Sequence, residues 1–368
     1  MNYEIDLNSC RARQRRLIDQ MQRLGVDLAI VRRIEHVQWL TGVRFGWTFE
    51  PAAALSVDGH CILVCPGRKP PQVAAADAIV PYEAQWLSTL RNDQRQASSA
   101  ALLEALRARP KPLAVGVEFS CFSQHMAAGL PPKLVDIEPA LFRLRRRKDP
   151  DELARIGKAI EATKRMYEVA RQIVQPGVNE LEVFSRLQQA AVEECGEMLT
   201  GTGNDYACNA RGGPPRDSRA QEGELYILDL GPAFRGYFAD NCRTLAVGGR
   251  PTDAQQRAWS KIAEVFPIVQ STVRPGVSCK AFYHQIKQMM DDYLPGVFDH
   301  HLGHGIGLFP HEAPHLNPNW DEVFEVGDVF TVEPGLYTPE LRAGIRLEND
   351  YLVTDRGVEL LSDIPLEL

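Results

Sequence analysis

A nine-residue pattern occurs twice in this chain, about a hundred residues apart, and it limits the possible folds more than any other feature: residues 223–231 read GELYILDLG and residues 327–335 read GDVFTVEPG. In each copy a Gly-acid turn opens an apolar, β-prone run that ends in a carboxylate just before a second glycine, Asp229 in one and Glu333 in the other. An ionised carboxylate in a buried strand is costly unless it is paired or coordinates a metal. Two at equivalent positions point to a shared cation.

The duplication reaches upstream. VQPGVN at 174–179 and VRPGVS at 273–278 are also copies, each followed by an amphipathic stretch. Two copies of so long a period indicate a duplicated α+β unit, where a solenoid needs at least three short repeats. A pseudo-twofold arrangement then brings equivalent strands face to face at one centre.

At 368 residues with 44% apolar content the chain is long enough for two or three domains with real cores. A net charge of −7 argues against nucleic acid as a partner. No apolar run approaches a membrane span, the first residues lack an apolar signal core, and the eight cysteines are scattered without a CxxC. These features lead to the expectation of a cytoplasmic protein with reduced thiols and no membrane partner.

Residues 9–145 alternate helical patterns with β-rich runs such as LAIV at 28–31 and CILVC at 61–65, so a separate α/β domain is expected over 1–147 and a second domain over 148–368. Asp149-Pro150-Asp151-Glu152 supplies an N-cap, a proline at the first helical position and a glutamate that reaches back. A long helix is predicted from there to Pro176-Gly177. Thr252 with Gln255 forms the matching capping box of the second unit. The basic run at 143–148 lacks interleaved aromatics and reads as a solvated linker.

After Asp229 the chain turns at Gly231-Pro232 and returns with Asp240 eleven residues on; after Glu333 it turns at Pro334-Gly335 and returns with Glu348. Four carboxylates thus come from two matched hairpins. Arg346 lies two residues before Glu348 and shares its face, either as a structural salt bridge or as a group aimed into the same cavity. In HHLGHGIG, at 300–307, glycines let backbone and imidazole approach a centre closely, which makes His304 the natural fifth ligand. A nucleotide-binding reading fails, because GHGIGL lacks the strand, spacing and helix that phosphate needs.

The order Asp229, Asp240, His304, Glu333, Glu348, together with QWLTG at 38–42, GHGIGL, VEPGLY and IRLEN, resembles the pita-bread metallohydrolases, the family of methionine aminopeptidase, prolidase, aminopeptidase P and creatinase. The resemblance covers nearly the whole chain. It implies an α+β C-terminal pita-bread domain with a pseudo-twofold repeat, preceded by a smaller α/β creatinase-like domain, and a homodimer. It further implies that the five residues hold two divalent metal ions with Asp240 and Glu348 bridging, that Glu333 shuttles protons, and that His311 and His300 contact substrate, with Arg346 beside them. One imidazole and four carboxylates favour manganese, with cobalt, iron and zinc as the other candidates. Two ions about 3.5 to 4 Å apart would share a water, lower its pKa towards about 7 and supply hydroxide to attack a carbonyl.

The implied substrate is a small peptide with an Xaa-Pro bond, yet the chain departs from the family in one place. The peptidases carry a histidine in the loop before the first metal aspartate, and here that loop reads CNARGGPP at 208–215, with no histidine between His125 and His284. Either Asn209 or Arg211 takes over its contacts, or the substrate is a small metabolite with a nonpeptide C–N bond.

Overall fold

Short apolar runs between turn residues build the sheet of the first of two units, Met1–Arg145, in a computed structural model that describes residues 3–67, 69–203 and 205–368. Its six strands lie in the order Ala78–Tyr82, Cys61–Pro66, Ala52–Ser56, Leu28–Val31, Val115–Val117, Leu134–Asp136. The pairings are mixed, parallel at both ends and antiparallel in the middle. Leu28–Val31 and most of Cys61–Pro66 are buried, as continuous apolar runs require. Helix Leu7–Leu24 starts where the Asp6 carboxylate accepts the amides of Asn8 and Ser9, and stops at Gly25 in the left-handed region.

A polar knot is buried in this unit. The His36 Nδ1 faces the Glu118 carboxylate, while the Arg145 Nη1 donates to His36 Nε2 at 3.0 Å.

The basic run corrects the expectation of a solvated linker. All but its last two residues belong to helix Glu138–Arg146, and Arg145, Arg146 and Lys148 are buried. The reason is a set of buried acceptors: Arg146 binds both oxygens of Asp328 at 2.9 and 2.6 Å, and Lys148 lies 3.8 Å from Glu312. A charged run reads as a solvated face only while its partners, nearly two hundred residues away, are out of view.

The second unit, Arg146–Leu368, carries the repeat. Asp149 and Thr252 both open helices with capping boxes, Pro150–Ile173 and Asp253–Ala263. The first runs unbroken; the second breaks and resumes as Val265–Thr272. Pro267 explains the difference, since it has no N–H to give the Ala263 carbonyl. The PGV turns then match in their backbone bonds, Gly177 donating to Ala220 O and Gly276 to Phe324 O. Gly177 has φ 90° and Gly276 φ 89°, and Asn179 and Ser278 cap Glu180–Cys195 and Cys279–Tyr293.

The two strand copies match as well. Gly223 donates to the Val247 carbonyl and Gly327 to that of Val353, while Val247 and Val353 return bonds to Glu224 and Asp328. Leu225–Leu230 pairs antiparallel with Asn241–Ala246, and Val329–Val332 with Asn349–Val353. The second copy continues into a five-stranded antiparallel sheet with Gly303–Gly305, Glu312–Leu316 and Val358–Leu360. The hairpins lock together where the Glu348 N–H donates to Cys242 O at 2.9 Å, the Asn241 amide donates to Glu348 O at 2.6 Å, and Thr244 and Arg346 exchange two bonds. Each copy packs on its own apolar cluster, one around Tyr167, Leu187 and Leu228, the other around Phe282, Phe330 and Tyr351.

Candidate metal centre

The locked hairpins leave a cavity of about 550 Å³ between their carboxylate ends. Asp229 sits within its strand; Asp240, Glu333 and Glu348 stand one residue outside theirs. All four, with His304 and Arg346, line this cavity. Ligand atoms of Asp229, Asp240 and Glu348 lie within 4.8 Å of one another, and so do those of His304, Glu333 and Glu348.

Glycine makes the approach of His304 possible. Strand Gly303–Gly305 lies so close to its neighbours that a Cβ on Gly303 would collide with the Thr331 carbonyl and one on Gly305 with that of Ala313. The imidazole is oriented by its own strand: Nδ1 lies 3.1 Å from the Gly305 carbonyl, so a proton there is donated to it and the Nε2 lone pair faces the acids. That nitrogen lies 3.5 Å from Glu333 Oε1 and 3.7 Å from Asp240 Oδ2. Burial pushes His304 down to about 3, which keeps it neutral and able to ligate.

The acids are held in an unfavourable state. Burial, then repulsion from Asp229 and Glu333, keeps Asp240 well above the usual carboxylate range, and burial with repulsion from Asp240 does the same to Glu348. Asp229 is also raised by burial, against the pull of Arg346. Both Glu348 oxygens are buried without a hydrogen-bond partner among the described residues. Orphaned buried oxygens, mutual repulsion and one neutral imidazole are what a pair of divalent cations would resolve, so the residues present fit such a group.

Around the acids stand groups outside the five expected ligands, although ligand atoms of Asp240, His304 and His311 also lie within 4.8 Å of one another, as do those of His300, His301 and Glu333. His311 is exposed and stacks on His304, with ring centroids 3.7 Å apart. His300 Nε2 lies 3.1 Å from the Tyr337 hydroxyl, and burial depresses this imidazole to about 4. The Arg346 Nη2 donates to Asp229 Oδ2 at 2.7 Å and to Asp205, so both readings of this residue hold: it is salt-bridged and it lines the cavity.

Three residues escaped the sequence reading. His301 Nε2 lies 2.6 Å from Glu333 Oε1; burial opposes the ionised glutamate, but the His301 bond and the nearby imidazoles and Arg346 prevail and lower its pKa. Tyr337 lies under the Arg211 guanidinium, 4.0 Å from its ring centroid. Asp205 fills the space beside Gly212, where a Cβ would collide with its carboxylate. Asn209 is exposed, and Arg211 turns its side chain to Asp299 at the cavity wall.

With this geometry in view, the comparisons with known proteins are decisive about family. The model of metallopeptidase family M24 matches residues 154–355, more than half of the chain, and that of the creatinase/prolidase N-terminal domain matches 13–146. The chain belongs to metallopeptidase family M24, a family of metal-dependent hydrolases, and has its two-domain pita-bread fold. An uncharacterized peptidase of Staphylococcus aureus (strain MW2) is 28% identical, over 94% of this chain and 97% of its own. Among solved structures, an Xaa-Pro dipeptidase from Bacillus anthracis superposes with a TM-score of 0.83 at 21% identity, covering 98% of this chain and 99% of the other. A prolidase from Pyrococcus furiosus gives 0.80 at 21%, covering 95% and 99%. No helix among the described residues is long and apolar enough to cross a membrane.

Proposed function

We propose that this chain is an exopeptidase that hydrolyses Xaa-Pro bonds with two divalent metal ions, most favourably manganese. The observation that carries the reading is the convergence of Asp229, Asp240, His304, Glu333 and Glu348 on one cavity, with both Glu348 oxygens unpartnered among the described residues. The folds of the Xaa-Pro dipeptidase and the prolidase support the peptide assignment. Those five side chains would hold the ions. When bound, the ions supply Lewis acidity and an acidified water.

The rest is the work of the chain's own groups. His311, exposed beside His304, donates an N–H to the scissile carbonyl oxygen and stabilises the charge that grows there. Glu333 takes up a proton at Oε2 and returns it to the leaving nitrogen, while its Oε1 stays bonded to His301. His300 and Tyr337 form a fixed wall that orients the substrate. Arg346 holds Asp229 in place from behind.

A second reading, a hydrolase of a nonpeptide C–N bond in a small metabolite, is favoured by the loop at 205–213, where a carboxylate has filled the space beside Gly212. The two separate in one assay. Manganese-loaded protein is offered Xaa-Pro dipeptides, longer Xaa-Pro peptides and small N-acyl or amidino metabolites. Proline release from the peptides is expected; turnover of the metabolites alone would replace the first reading with the second.

A further inference from the structure

We propose that Asp205 is a positioning residue of this centre: its carboxylate clamps Arg346 so that the guanidinium can hold Asp229 without competing for it, and it fills the volume that a side chain at 212 would need. The inference rests on the reading of Asp229 as a metal ligand.

Arg346 is buried and needs a counter-charge. Its Nη2 reaches both Asp205 Oδ2 and Asp229 Oδ2, and its Nη1 donates to Arg211 O at 3.1 Å and to the Tyr337 hydroxyl at 3.3 Å. Asp229 has a second duty, towards the cations. Were Asp229 the only carboxylate hydrogen-bonded to Arg346, with Glu333 Oε2 no nearer than 3.9 Å from its Nε, its charge would be divided between guanidinium and metal. Asp205 removes that conflict. It is itself fixed at two points, since its Oδ1 accepts the Gly213 N–H at 2.6 Å and its carbonyl accepts the Asp229 N–H at 3.1 Å. The loop from 205 to 213 is thus tied to the Asp229 strand through backbone and to Arg346 through side chain.

Gly212 completes the arrangement. Any Cβ there would lie inside contact distance of all three terminal atoms of the Asp205 side chain. A carboxylate at 205 and a side chain at 212 therefore exclude one another.

The test is calorimetric titration of metal-free protein with Mn2+ alone, which reads the centre without any substrate. Asp205→Asn is expected to weaken Mn2+ binding about 10- to 100-fold, the usual effect of losing a group that orients a ligand. Gly212→Ala keeps the charge but displaces the carboxylate, and is expected to weaken binding similarly. Asp205→Ala combined with Gly212→Ala should bind no more weakly than Asp205→Ala alone, because the collision is gone. This arm decides the matter if Asp205→Asn fails to fold. Wild-type affinity in Asp205→Asn, or losses that multiply in the double variant, would overturn the clamp while leaving the centre intact. Wild-type protein that takes up no Mn2+ would overturn both.

Discussion

Glu348 carries an unresolved cost at the residue scale, a buried carboxylate with neither oxygen partnered among the described residues. Without a cation it must stay protonated or remain charged at a penalty. Glu348→Gln keeps the shape and removes the charge. In the wild type, Mn2+ at a hundred times its Kd should add about 2.7 kcal/mol of stability; in the variant that gain should vanish, as thermal unfolding with and without Mn2+ will read. His311 makes the complementary case. It stacks on His304 yet remains exposed, so His311→Ala should lower kcat about 10²- to 10³-fold, the scale for losing one donor to a developing oxyanion. Mn2+ stoichiometry should not change, and its loss would make His311 a ligand. Glu348 was legible because the repeat marks equivalent positions and each copy returns with a second acid, Asp240 after Asp229 and Glu348 after Glu333, whereas His311 was legible only through the family resemblance. Asp205, His301 and Tyr337 belong to no repeat. Asp205 meets Arg346 across 141 positions, and nothing local announces that contact.

Elements show the same division. Capping boxes at Asp149 and Thr252 are local chemistry, and both formed where the residues required. The break in the second helix is written in Pro267, which has no counterpart inside the first. The strand Gly303–Gly305 is the element on which the centre most depends. It carries His304 between two neighbours that leave no room for a side chain at 303 or 305. Gly303→Ala would force the strand from the Thr331 carbonyl. The expected cost is about 1–3 kcal/mol of stability, typical of overpacking a close contact, accompanied by weaker Mn2+ binding as His304 moves. Denaturant unfolding and metal titration check the two parts separately, and an unshifted Mn2+ affinity would detach the strand from the site.

For the whole molecule, two linkages to solution conditions reside in different units, and each can be read against the other. The metal centre belongs entirely to Arg146–Leu368, while His36 and Glu118 belong to Met1–Arg145. Burial, reinforced by Arg145 and only partly offset by the Glu118 bond, holds His36 below its ordinary value of 6.5. Neutral, it donates from Nδ1 to Glu118 and accepts from Arg145 at Nε2; protonated, it would face the guanidinium with like charge. The unfolded chain takes up this proton near pH 6.5 and the folded chain only at lower pH. The stabilisation is therefore complete above about pH 6.5 and is lost as pH falls, at up to about 1.4 kcal/mol per unit. Glu118, held below 4.5, loses its own contribution only at still lower pH, so within this pair the window from about 6.5 to about 5 belongs to His36, and the buried histidines of the other unit cancel in a comparison with a His36 variant. His36→Gln should be less stable than wild type at pH 7, and the gap should narrow steadily across that window. Because no residue of the metal centre lies in the first unit, the gap at each pH should be the same with and without Mn2+, within the roughly 0.5 kcal/mol expected of independent sites. A gap that stays constant with pH would place the neutral imidazole outside the energetics of folding, and one that changes with Mn2+ would show the two units to be coupled.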